Sequence, residues 1–299
     1  MKKPGRRIEI VLWVAAFAVI ALVGRYVLPT AETGQAESRT VRIGYVSWAE
    51  GIAMTHLAKV VLEDRMHYDV ELTLADPAPI FTSLAEGSLD VFLDAWLPRT
   101  HQSHMEEYKD TLSDLGYNYE GARIGLVVPA YVDVDSIPAM ADRAALFDGA
   151  ITGIDSGAGI MEATRKAIRR YDLDMELMTS SGAAMTASLS DAVQREAPIV
   201  VTGWKPHWMF ARWELKFLDD PRTVYGEEEN LHTLARPGFS RDFPEVAAFL
   251  KAFQFDDQQI GSLMDTMNRH ESEAEAARKW MADHARLVDS WLSPPYKGN

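Results

Sequence analysis

The sequence predicts an α/β protein of two lobes, each a mostly parallel sheet flanked by helices, with a ligand cleft between them. Three observations carry this expectation. From residue 41 onward, short apolar runs alternate with stretches of helical spacing, the rhythm of a doubly wound parallel sheet. Two extended segments, near 123–132 and 233–237, flank a self-contained block of the same alternation, as strands crossing between lobes would. Trp48, Trp96 and Trp204 each follow an apolar run, which puts them at strand ends, where open α/β sheets hold ligands.

The elements follow in order. Residues 41–46 form a first strand, and 52–65 carry Ile52, Leu57, Val60 and Val61 at helical spacing. Residues 68–74 alternate as a strand, 80–86 form a short helix stopped by Gly87, and 91–95 are a short buried strand. Within the central block, 149–154 form a strand and a glycine-rich turn leads into a helix at 160–171. Strands at 175–179 and 199–203 flank a helix at 183–196. From Pro244 the chain is helical, and Ala277, Trp280, His284, Leu287, Val288 and Trp291 form one packed face.

The first thirty residues are a different material. Lys2, Lys3, Arg6 and Arg7 precede a run at 8–24 that is uncharged except for Glu9, the pattern of a secretory signal or an uncleaved anchor. Cleavage near Gln35 and Ala36 and retention as a tether are both open, and residues 31–40 read as a linker. The whole chain carries −14; residues 1–30 contribute +4, so the body is strongly acidic at −18. That charge argues against nucleic acid and against adhesion to anionic lipid through the folded body. With no cysteine, disulfides, thiol catalysis, Cys-ligated zinc and a lipoprotein anchor are excluded, and stability must come from the core.

In the stretch at 153–161 (Gly-Ile-Asp-Ser-Gly-Ala-Gly-Ile-Met) a strand enters a glycine-rich turn and then a helix, whose first amides lack intrahelical acceptors. Such an end binds an anion, with phosphate and carboxylate both candidates, but its glycine spacing does not fit a dinucleotide fingerprint. His101 can donate a hydrogen bond to an anionic ligand from the opposite lobe. His101 and His104 have the spacing of one helix face, but no third metal ligand stands at a motif spacing. Asp90 and Asp94 flank a strand without a partner base and are expected to fix loops by accepting backbone amides. No nucleophile elbow, zinc-protease motif or phosphate loop is present, so no catalytic residue, metal or cofactor is expected. Taken singly, each tryptophan is best explained by core packing; converging from several strands, Trp48, Trp96 and Trp204 would form a box of π-faces suited to a quaternary ammonium.

Four stretches in order, Gly-Tyr-Val-Ser-Trp-Ala-Glu (44–50), Asp-Val-Phe-Leu-Asp-Ala-Trp-Leu-Pro (90–98), Gly-Ala-Gly-Ile-Met (157–161) and Thr-Gly-Trp-Lys-Pro-His-Trp (202–208), closely resemble the glycine betaine- and proline betaine-binding proteins of ABC importers. The resemblance covers residues 41 to about 268. It implies a type II periplasmic-binding-protein fold that closes on its ligand, with 37–125 and 233–299 as one lobe, 126–232 as the other and 1–36 as export segment plus linker. It also implies a trimethylammonium cage of Trp48, Trp96 and Trp204, and a carboxylate site made by the amides of Gly159 and Ile160 with His101. Related choline binders usually carry Asp two positions after the first cage tryptophan; Glu50 stands there, which together with the carboxylate site favours a betaine over choline, and choline or carnitine binding by the same fold is the alternative. The expected partners are an ABC permease and its ATPase subunit, in an osmoprotectant uptake system. The expected protein is monomeric and extracytoplasmic, touching the membrane only through an uncleaved N-terminus. An enzyme acting on betaine-like compounds and a tethered sensor module are the readings from other classes.

Overall fold

The computed structural model describes residues 40–292. The export segment and linker expected at 1–36 lie outside these residues. Among the described residues, no helix is long and apolar enough to cross a membrane.

One half of the molecule begins with β1 (Thr40–Tyr45), α1 (Ala49–Met66), β2 (Asp69–Leu74), α2 (Pro77–Glu86) and β3 (Val91–Leu97). Strands β2, β1 and β3 pair in parallel. Gly87 ends α2 at φ 78°, a left-handed conformation that costs a glycine little. Helix α1 is apolar around most of its circumference: Ala53, Met54, Leu57, Val61 and Leu62 are fully buried. The reason is its place between the sheet and the C-terminal helices at Asp257–Arg269 and Glu273–Asp283. Each such Leu or Val contributes about 1.5–3 kcal/mol through burial.

The chain then crosses on β4 (Ser113–Pro129), a strand of 17 residues. Residues Ser113–Ala122 pair antiparallel with the returning strand β9 (Glu229–Ala235), which also pairs with β3. From Arg123 onward β4 pairs instead with β7 (Val201–Lys205) and then β8 (Leu215–Phe217). The central block supplies β5 (Ala150–Thr152), a helix at Gly159–Tyr171, β6 (Glu176–Met178) and a helix at Gly182–Gln194, with β5 parallel to both β6 and β7. The strand order is β2-β1-β3-β9-β4-β7-β5-β6, with β8 on β4. The long strand β4 therefore joins the two smaller parallel groups, β2-β1-β3 through β9 and β7-β5-β6 directly; of the two segments expected to cross, only β4 pairs on both sides.

Two details differ from the sequence reading. The crossing strand starts ten residues earlier than expected, at Ser113 rather than near 123. The tail is not one helix: Glu273–Asp283 and Ala285–Leu292 break at His284, whose ring stacks on Trp280 with centroids 3.9 Å apart. Trp280 and Trp291 are core residues as expected, 1% and 4% exposed, and Trp291 packs on Phe253 and Phe255.

Candidate functional site: an aromatic cavity between the two sheets

Trp48 sits at the N-cap of α1, immediately after β1, in extended backbone. Trp96 lies at the end of β3 beyond a bulge, where the register passes from Phe92 opposite Leu234 to Ala95 opposite His232. One extra residue there re-aims the strand's last side chains. Trp204 lies on β7 directly opposite Ile124 of β4. The three indoles come from both halves of the molecule and line one small cavity, together with Glu50, Thr100, Ile124 and Ile154. The tryptophans are 2–6% exposed.

The same cavity is walled by Ala158, Gly159 and Ile160, where the helix at Gly159–Tyr171 begins. Its opening amides have no intrahelical acceptor and carry the positive end of the helix dipole. Gly159 is also a point of closest approach between the halves: a Cβ added there would lie 2.5 Å from the carbonyl oxygen of Thr100. Thr100 is held in turn by buried Glu229, whose carboxylate accepts the Thr100 hydroxyl and the backbone N–H groups of Arg99 and Thr100.

His101 does not line this cavity. It stacks behind Trp48, with ring centroids 5.9 Å apart and planes 26° off parallel. Its Nδ1 accepts the Trp96 backbone N–H at 3.0 Å, which assigns the ring proton of the neutral imidazole to Nε2. Burial, with a smaller contribution from His104, pushes its pKa down to about 3, so the ring is neutral near pH 7. Nε2 is buried and finds no hydrogen-bond partner among the described residues. His104 stacks on Phe81 at 4.8 Å, and no group of three or more His, Cys, Asp or Glu able to hold a metal ion occurs among the described residues.

Two buried carboxyl groups accept from the indole edges, and Glu50 also lines the cavity. Glu50 Oε2 accepts the Trp204 Nε1–H at 2.7 Å, and Asp94 Oδ1 accepts the Trp96 Nε1–H at 3.0 Å. Burial raises Glu50 to about 8, against the pull of the Trp204 hydrogen bond. Burial, then the neighbouring Glu50, raises Asp94 well above the usual carboxylate range. The expectation that Asp90 and Asp94 fix loops through backbone amides is met only in part. Asp90 accepts the Arg42 backbone N–H together with the guanidinium groups of Arg42 and Arg236. Asp94 serves the Trp96 indole instead.

Two joined sheets with an aromatic cavity between them define a solute-binding protein of the two-lobed kind. The family described as the substrate-binding domain of ABC-type glycine betaine transport systems matches residues 39–283, and the chain belongs to that family of transport proteins rather than to an enzyme family. It is similar to the lactococcal OpuAC structure in its closed conformation complexed with glycine betaine: TM-score 0.80 and 35% identity, covering 85% of this chain and 99% of that one. The glycine betaine/L-proline-binding protein ProX of Borrelia burgdorferi gives a TM-score of 0.81 at 36% identity, covering 86% and 98%. The fold is thus the type II periplasmic-binding-protein fold. A choline-binding protein in complex with choline is similar at TM-score 0.79 and 27% identity, covering 88% and 95%. The glycine betaine/carnitine transport binding protein GbuC of Listeria monocytogenes is 47% identical over 144 residues, 47% of this chain, and the match spans about half (48%) of that relative's length.

Proposed function

We propose that this protein captures glycine betaine, or a close relative such as proline betaine, and delivers it to an ABC permease and its ATPase subunit for osmoprotectant uptake. The observation that carries the proposal is the cavity itself, in which three buried indoles from both halves face the opening amides of a helix. A quaternary ammonium has no N–H and cannot be recognised by hydrogen bonds; its charge is spread over methyl groups that also favour an apolar wall. Indole faces meet both demands, each cation–π contact contributing about 0.5–2 kcal/mol. Trp48, Trp96 and Trp204 are the proposed cage. Three such contacts fall short of the roughly 8 kcal/mol of micromolar binding, so the carboxylate end must add to them. The proposed carboxylate donors are the amides of Gly159 and Ile160, with charge-assisted hydrogen bonds of about 1.5–3 kcal/mol each; His101, expected from the sequence as a third donor, stands behind Trp48 and outside the cavity lining.

Support for a carboxylated ligand over choline comes from Gly159 and Ile160, which border the cavity at the start of a helix. Carnitine also carries a carboxylate, and size decides between it and the betaines. The proposed lobe division is 37–125 with 233–299, and 126–232, with the exchange of β4 from β9 to β7 between Ala122 and Arg123 as its support on the first crossing. An exported monomer, tethered only if residues 1–36 are retained, is proposed on the composition of that segment. Competitive calorimetry among glycine betaine, proline betaine, carnitine and choline tests the reading: a betaine binds tightest, and a wide margin in favour of choline leaves the carboxylate donors without a role.

A further inference from the structure

We infer that Glu50 is a positioning residue that fixes the third wall of the cage when the two lobes meet. The inference rests on the cage reading above and adds to it a residue that borders the cavity and also holds the edge of Trp204. Glu50 lies in the first turn of α1, in the lobe of Trp48 and Trp96, whereas Trp204 lies on β7, in the other lobe. Their hydrogen bond, 2.7 Å between residues 154 apart in sequence, spans the cleft. An indole has a single N–H, at its edge. An acceptor at that edge sets the ring's rotation and leaves both faces free for the cavity. Within its own lobe Asp94 does the same for Trp96 at 3.0 Å.

The cost of these carboxyls is the second part of the case. Glu50 and Asp94 are 0% and 1% exposed, and each keeps one oxygen, Oε1 and Oδ2, with no hydrogen-bond partner among the described residues. Asp94 Oδ2 lies so near α1 that a Cβ on Gly51 would come within 2.5 Å of it. A half-satisfied buried acid destabilises a fold, and an apolar side chain of similar size does better. Two such groups side by side are therefore poor scaffold and good acceptors. A role in positioning requires a split between stability and binding that a packing role does not: replacing Glu50 by an apolar isostere leaves the fold as stable or more so and weakens the ligand, whereas glutamine, which keeps an acceptor oxygen, restores binding.

The experiment uses the full chain as wild type, Glu50→Met and Glu50→Gln, with ¹⁵N-indole NMR, thermal unfolding and glycine betaine titration. The Trp204 indole resonance is assigned by Trp204→Phe. In wild type it is shifted downfield as a carboxyl-bonded N–H. Glu50→Met moves it upfield, leaves the unfolding midpoint equal or higher and weakens betaine by about tenfold or more, while Glu50→Gln stays within about threefold. An unchanged Trp204 indole shift in Glu50→Met overturns the inference, as does a lowered midpoint with unchanged affinity. Failure of the function reading is seen separately, as absence of quaternary amine binding by wild type; the indole shift in the ligand-free protein then still decides the role of Glu50.

Discussion

The indole Nε1–H of Trp204 donates to Oε2 of Glu50 at 2.7 Å, tying β7, which pairs with β5, to the first turn of α1, which follows β1. The edge of the ring is thus held by an acid while its face borders the cavity. Trp96 repeats the arrangement with Asp94, so two of the three aromatic walls are anchored by buried carboxyl groups rather than by packing alone.

The face and the edge of Trp204 can be separated by substitution. Trp204→Phe keeps a π-face and loses the N–H, whereas Trp204→Ala loses both. We expect betaine affinity to fall about tenfold in the first and a hundredfold or more in the second, measured by calorimetry. Equal losses would mean that the edge anchor carries all of the effect.

Gly159→Ala keeps the amide proposed to bind carboxylate but places a methyl 2.5 Å from the Thr100 carbonyl oxygen. Backbone cannot step aside cheaply, so the lobes are kept from meeting. The expected result is a loss of betaine affinity of about tenfold or more. Gly182→Ala, whose Cβ would meet Trp204 and the Ser47 carbonyl oxygen only at 3.8 and 3.7 Å, is the control that binds normally.

Asp90 is 1% exposed and receives both Arg42 and Arg236. Burial opposes its ionisation, but the hydrogen bonds from the two arginines outweigh that and hold it below the usual carboxylate range. Asp90→Ala leaves two guanidinium groups without their shared acceptor and joins no cavity wall. Unfolding free energy is expected to drop by about 3–5 kcal/mol in denaturant titrations, with betaine affinity of the remaining folded protein unchanged.

Glu50 predicts a pH dependence with a definite sign. Its folded pKa is about 8, from an ordinary 4.5. Between these values the folded protein keeps a proton that the unfolded chain has released, so stability falls as pH rises, by up to about 1.4 kcal/mol per unit. Relative to Glu50→Gln, wild type should be at its best below pH 4.5 and lose ground up to about pH 8. His101 has the opposite sign. Its folded pKa of about 3 lies below 6.5, so its contribution is present above pH 6.5 and is lost as pH falls toward 3. Denaturant midpoints of wild type, Glu50→Gln and His101→Gln from pH 3 to 9 check both slopes.

Much of the scaffold was legible because its periodicity is local. The helical spacing of Leu57, Val60 and Val61, the stop at Gly87 and the strand-turn-helix at 153–161 all appear where the residues put them. The first half of β4 was not legible. Gly116, Asn118 and Gly121 argue against a strand, and its ladder with β9 is interrupted by three register shifts. It is held by tertiary contacts such as the Asn118 side-chain amide on the Leu93 carbonyl oxygen at 2.6 Å. The tail's single apolar stripe hid the break at His284, where the ring bonds the Trp280 carbonyl oxygen with Nδ1. In the site, the convergence of Trp48, Trp96 and Trp204 followed from their strand-end positions. The anchoring roles of Glu50 and Asp94 did not, because a lone acid in an apolar stretch gives no sign of a partner far along the chain.

The most direct test of the cage is calorimetric titration of glycine betaine into wild type and into the Trp48→Ala/Trp204→Ala double variant, with retained folding checked by circular dichroism. Saturable binding near the micromolar range in wild type and no detectable heat in the double variant is the predicted result. A double variant that binds betaine as tightly as wild type would contradict the account, because it removes two of the three indoles that line the cavity.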